Sequence, residues 1–248
     1  MAKLQQFTDF GGQTIYVGID THLKNWDIAV HFNKQFIRAF HQEADPKALE
    51  TTLKRDYPNA FIECAYEAGF SGFWLQRYLT GKGIKCIVVN AADVPQTDKE
   101  RKSKTDRRDS RRIAQSLEAG QLQAIHVPNE QSEGDRKLTR YRQQVLQDLT
   151  RSKNRIKSLL YQQGIEIPDR FKKNNWSKIF IVWLRELKAE HPLLKYTLDL
   201  MITKVEILRN ELLMLNKNVK DLLETKQYEK SGALLMSVPG IGPITAMT

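Results

Sequence analysis

The sequence predicts an α/β domain, a mixed sheet with flanking helices, followed by long helices that form a coiled coil or a helical bundle. Two observations carry this. Between residues 14 and 128, short β-rich segments alternate with short amphipathic helices in the order βββαβαβ, with basic helical material after them. Beyond residue 133 the apolar residues switch to three- and four-residue steps held over several turns.

The elements follow in order. "TIYVGID" is apolar and β-rich and ends in Asp20. "WDIAVHF" alternates in period two around Asp27, Ala29 and His31, and "QFIRAF" follows the short turn Asn33-Lys34, completing a three-strand meander. "DPKALETTLKRDY" offers Asp45 as N-cap, Pro46 at the first helical position, and Leu49 and Leu53 for burial. The strand "AFIECAY", a helix around "GFWLQRYLTGKG" and the strand "IKCIVVN" come next. Cys64 and Cys86 lie inside these apolar runs, without metal-ligand spacing, and read as buried free thiols. Trp26 and Trp74 read as packing residues rather than as platforms for bases.

From residue 133 to 161, Leu138, Tyr141, Val145, Leu149, Ile156 and Leu159 predict a long amphipathic helix. Between Asp135 and Leu160 it carries eight Lys/Arg against two Asp, so one face is basic. "GIEIPDRFKKNNW" breaks it. From 198 to 222, Leu198, Met201, Val205, Leu208, Leu212, Leu215, Val219 and Leu222 keep a 3-4-3-4 rhythm, compatible with a dimeric coiled coil. The alternative is packing within the same chain. Ile202, Ile207, Leu213 and Met214 widen the apolar stripe and favour a bundle over a bare two-stranded seam.

Composition bounds the partners. The net charge of +10 and pI of about 9.5 point to a polyanion, most commonly nucleic acid. No apolar run is long enough to cross a membrane, and no signal peptide is present, so an intracellular chain is expected.

The chemistry centres on carboxylates. Asp20 ends the first strand, where α/β sheets place their sites. Glu67 ends the "AFIECAY" strand, with Glu63 on the same face as a rival. Asp106 and Asp109 form an i, i+3 pair that shares one helix face and repels unless a cation lies between them. Residues 99 to 112 hold eight Lys/Arg and three acids, more base than two aspartates need. The spacing fits a site for Mg²⁺, two ions at once, with Lys102, Lys104, Arg107, Arg108, Arg111 and Arg112 gripping nucleic-acid phosphates. Arg140, Arg151 and Arg155 extend the basic surface along the long helix. His22 reads as a hydrogen-bond partner near Asp20. In "SVPGIGPITA", Gly240 and Gly242 resemble a helix-hairpin-helix turn, whose amides hold phosphate.

"YVGIDTHLKNWDIAV", "YEAGFSGFWLQRYL", "VVNAADV", "KSKTDRRDSRRIAQSL" and "SVPGIGPIT", in that order, resemble the DEDD transposases of the IS-one-ten family, relatives of the pilin-gene invertases. The resemblance covers nearly the whole chain. It implies an RNase H-like (RuvC-like) domain whose metal ligands are Asp20, Glu67, Asp106 and Asp109, choosing Glu67 over Glu63. It implies DNA as substrate, a structured guide RNA, a homodimer or higher homo-oligomer, and a bacterial cytoplasmic, nucleoid-associated setting. It also implies a serine nucleophile in a C-terminal transposase domain. Ser231 and Ser237 do not match that serine.

The expected division is therefore residues 1–128 as the RuvC-like domain, 129–230 as a helical dimerisation and nucleic-acid-binding region, and 231–248 as the start of a truncated transposase domain. Two rival functions share the same carboxylates: a metal-dependent nuclease on branched DNA, and a catalytically inactive dimeric nucleic-acid-binding remnant.

Overall fold

A computed structural model describes residues 9–95, 106–172, 176–188 and 191–248; the side chains of 106–108 and 172 lie outside the description. The chain divides into two compact units, Met1–Val127 and Pro128–Thr248.

The first unit runs β1 (Thr14–Thr21), β2 (Asn25–Phe32), β3 (Gln35–Glu43), α1 (Pro46–Asp56), β4 (Phe61–Glu67), α2 (Trp74–Gly81), β5 (Lys85–Val89), a 3-10 turn (Ala91–Asp93) and α3 (Asp106–Glu118). The sheet order is β3-β2-β1-β4-β5. β2 is antiparallel to both its neighbours, while β1, β4 and β5 are parallel. This is an α/β sheet of the RNase H-like kind. The meander follows from its turn: Asn33 and Lys34 adopt φ of 51° and 59°, the paired positive values a two-residue hairpin demands. α1 starts where the sequence placed it, with Asp45 Oδ1 accepting from Lys47 N–H at 2.8 Å and Pro46 at the first position.

Period two sorts the strands into two faces. Ile15, Val17 and Ile19 join Ile28, Val30, Cys64, Tyr66 and Val88 in a core that includes Leu49 and Leu53 of α1 and Leu75 and Leu79 of α2. On the opposite face Ala65 and Val89 pack with Ile113 and Leu117 of α3. Cys64 and Cys86 are register partners across β4 and β5, both buried and free. Burial pushes both thiols up, Cys86 to about 12, so neither supplies a thiolate nucleophile. Trp26 is buried, with Trp74 5.9 Å from it between ring centres.

The second unit contains α4 (Glu130–Gln162), α5 (Asp169–Lys172), α6 (Lys178–Glu186), α7 (Pro192–Leu223), α8 (Glu229–Met236) and α9 (Pro243–Ala246). Asn129 caps α4 by accepting from Ser132 N–H at 2.7 Å, and Gly164 at φ 66° ends it. Leu149, Ile156 and Leu160 of α4 pack with Phe180, Ile181 and Leu184 of α6 and Leu198, Ile202 and Val205 of α7. Met201, Leu208 and Leu212 lie against the same core. The heptad stripe of α7 thus faces helices of its own chain. Ile202 joins it, but Ile207, Leu213 and Met214 do not widen it as expected: they are exposed. At about 100° per residue Ile207 and Met214 fall well outside the arc that Ile202 and Val205 bury, while Leu213 lies just beyond the Ile202 edge of it.

Candidate functional site

The β1 register places a row of polar side chains across the sheet, on the face that α3 covers. Asp20 is the register partner of Asp27 on β2, which in turn partners His41 on β3. On the other side, β1 and β4 run in register to Ile19 and Tyr66. One step further, Asp20 lies beside Glu67, on strands about 4.8 Å apart. The row therefore reads His41, Asp27, Asp20, Glu67. Its carboxylates would repel one another if nothing else reached them.

α3 supplies what reaches Glu67. The Arg112 guanidinium stands 3.0 Å from Asp109 Oδ1 and 3.6 Å from Glu67 Oε1, tying the helix to the end of β4. Arg112 and Asp109 are nearly enclosed, with side chains 13% and 10% exposed. The sequence assigned Arg112 to phosphate contacts; here its guanidinium lies among the carboxylates. Asp106 opens α3, one turn before Asp109, and its side chain lies outside the description, as do those of Arg107 and Arg108. Lys102 and Lys104 lie outside the described residues.

Glu63, the rival of Glu67, pairs with Lys85 at 3.0 Å. It lies four residues back along β4, about 13 Å from Glu67 at the usual strand rise. His22 Nε2 stands 3.3 Å from Asp20 Oδ2, beside it at the end of β1.

Two contacts on this face were not read from the sequence. Asp27, 7% exposed, sits with Oδ2 3.3 Å from His41 Nδ1. Its signal was available: counting outward from a two-residue turn at Leu23-Lys24 brings residue 27 opposite residue 20. At the far end of α3, Glu118 accepts the Lys34 backbone N–H at 2.6 Å and meets His31 Nδ1 at 3.3 Å. His31 is buried, and that burial holds it below the ordinary histidine range against the pull of Glu118.

Arg111 is exposed, its guanidinium 4.2 Å from the centre of the Phe36 ring. Arg140, Arg151 and Arg155 are exposed along α4, Arg151 being 3.4 Å from Asp148. Gly240 has φ of 91°, and Gly242 immediately precedes the four-residue α9.

The donor set is all carboxylate oxygen, which suits a hard divalent cation such as Mg²⁺. Among the described residues no three His, Cys, Asp or Glu side chains close into a ready-made cage. Arg112 holds Glu67 and Asp109 about one cation, and Asp20 stands in register beside Glu67.

An RNase H-like sheet with an acid at the end of each of two neighbouring parallel strands describes the class. The sequence profile of the IS110-type DEDD transposases, described as "Transposase", matches residues 17–164. The chain belongs to that family. It is 27% identical over 239 residues to the transposase for insertion sequence element IS1533 of Leptospira borgpetersenii, covering 94% of this chain and 68% of that protein. It is 33% identical over 140 residues to a provisionally named transposase, y4qE, of Sinorhizobium fredii, covering 56% of this chain and 35% of that protein. A second such protein from that organism, y4rJ, is 33% identical over 117 residues, covering 45% and 29%.

Proposed function

We propose that this chain is a metal-dependent DNA recombinase of an insertion sequence, in which Asp20, Glu67, Asp106 and Asp109 hold two Mg²⁺ ions. The observation that supports it is the single guanidinium shared by Glu67 and Asp109, with Asp20 in register beside Glu67. Carboxylates from a strand and a helix are already gathered about one positive charge. When bound, the metal would stabilise the attacking and leaving oxygens of a phosphoryl transfer. The chain's own residues do the rest. β1 and β4 fix Asp20 and Glu67 side by side, α3 brings Asp109 over them, and His22 orients the Asp20 carboxylate. The exposed Arg140, Arg151 and Arg155 bind phosphates of DNA or of the structured guide RNA that the family resemblance implies. The serine nucleophile that the resemblance implies has no counterpart assigned in this chain. Residues 1–128 carry the metal site and 129–230 the helical nucleic-acid-binding and self-association region, with Gly240 and Gly242 beginning a third segment.

The test is direct Mn²⁺ binding, followed by the paramagnetic resonance of free Mn²⁺. Asp20→Asn and Glu67→Gln should each lower affinity at least tenfold, with the melting curve preserved. Unchanged binding in both would remove these residues from the site.

A further inference from the structure

We infer that Arg112 is a built-in counter-ion of the carboxylate site, which an entering divalent cation displaces from between Glu67 and Asp109. The inference rests on the metal-site reading above. Its grounds are geometric. One guanidinium spans an acid on β4 and an acid on α3, at 3.6 Å and 3.0 Å. It does so inside the fold, where its charge is poorly screened by water. Its donors are not all satisfied. Its Nε is buried and lacks a hydrogen-bond partner among the described residues. A guanidinium carries five donors in a fixed fork, so an orphaned Nε marks a placement that costs free energy.

Charge balance gives the reason for the arrangement. Asp27, Asp20 and Glu67 lie side by side on three adjacent strands, and Asp109 is added from above. Without a cation, their mutual repulsion would weaken the seating of α3 on the sheet. Arg112 supplies one positive charge to the metal-free protein. A divalent cation supplies two, with hard-oxygen coordination in place of one long and one ordinary ion pair. Exchanging the two leaves Glu67 and Asp109 ligated and frees the guanidinium, one helical turn from Arg108, for a phosphate of the substrate. Metal entry and phosphate grip would then be one event.

Two experiments test it. In the first, Mn²⁺ binding is measured for the parent, Arg112→Gln and Arg111→Gln. Both variants remove one positive charge from adjacent positions of α3, but only Arg112 touches the carboxylates. Arg112→Gln should bind about three- to tenfold more tightly than the parent, and Arg111→Gln less than twofold. Equal tightening in the two variants would reduce the effect to long-range charge and overturn the proposal, as would unchanged or weaker binding in a folded Arg112→Gln. The second experiment is read on the parent protein itself. The Arg112 side-chain Nε–H resonance of the parent, assigned by its loss in Arg112→Lys, should move on Mg²⁺ addition with the same midpoint as metal binding. A resonance that stays still while Mg²⁺ binds overturns displacement and leaves the metal site standing. Absence of metal binding in both parent and Arg112→Gln overturns the site and the displacement together.

Discussion

Gly18 of β1 lies directly beneath Ser110 of α3, so close that a Cβ added at Gly18 would overlap the Ser110 carbonyl oxygen and come within 2.5 Å of the Ala114 backbone nitrogen. Both obstacles are backbone, which cannot rotate aside. The missing side chain is what lets the helix that carries Asp109 settle onto the strand that carries Asp20. Gly18→Ala should therefore cost about 1–3 kcal/mol, as overpacking of a tight core does. It should also weaken Mn²⁺ binding, because α3 is lifted from the carboxylate row. Thermal melting and metal titration on the same sample check this; a loss of stability with metal affinity intact would uncouple the two.

Asp27 and His41 should prove energetically coupled. Removing His41 leaves a nearly buried carboxylate beside Asp20 without its partner. His41→Ala should destabilise by about 1–3 kcal/mol, the cost of an unsatisfied buried polar group. In Asp27→Asn the same histidine substitution should cost less. A double-mutant cycle by urea unfolding reads the difference, and full additivity would deny the contact any role.

His31 gives the first unit a pH-dependent term with a definite sign. Burial lowers its pKa from the ordinary 6.5, so the unfolded chain binds the proton more readily than the folded one. The stability this group contributes is whole above about pH 6.5 and is lost as pH falls below it. His31→Gln should flatten that part of the curve, compared by urea unfolding at neutral and mildly acidic pH. An unchanged slope would show that other groups carry it.

Ile202 distinguishes packing within the chain from a seam between chains. It is fully buried against helices of its own unit, so Ile202→Ala should cost about 2–5 kcal/mol. Because those partners belong to the same chain, the loss should not vary with protein concentration. Met214→Ala, at an exposed position of the same helix, should leave the monomer's stability within about 0.5 kcal/mol.

On the basic face, replacing Arg140, Arg151 or Arg155 by Ala should weaken nucleic-acid binding roughly evenly across sequences. Each should reduce the slope of log affinity against log salt by about one if it contacts a phosphate. Filter binding or fluorescence anisotropy over a salt series decides residue by residue.

Much of this was legible in the sequence, for reasons visible in particular residues. Asp20 and Glu67 stand at the ends of strands that are plain in the sequence; period two puts Glu63 on the same face as Glu67, and the family resemblance chooses between them. The cap at Asp45 and the turn at Asn33-Lys34 are local chemistry. Asp27 was harder: it looks like one polar position in an alternating strand until the register sets it opposite Asp20. Arg112 was harder still. In sequence it is one base among many, and only the seating of α3 turns it inward while Arg111 stays on the surface over Phe36. The stripe on α7 was plain, but periodicity says that a face is buried, not which helix buries it.

The strand order carries a kinetic consequence. β1, β2 and β3 pair with their immediate neighbours in the chain, whereas β4 must return past β2, β3 and α1 to lie against β1, bringing Phe61 to Thr14. Short-range hairpins close quickly and long loops close late. Asp20 and Glu67 therefore meet only at the slow, non-local step. A folding chain would show its β-hairpin signals well before it could capture a divalent cation, and the appearance of that capture in a stopped-flow trace would time the closure of the sheet.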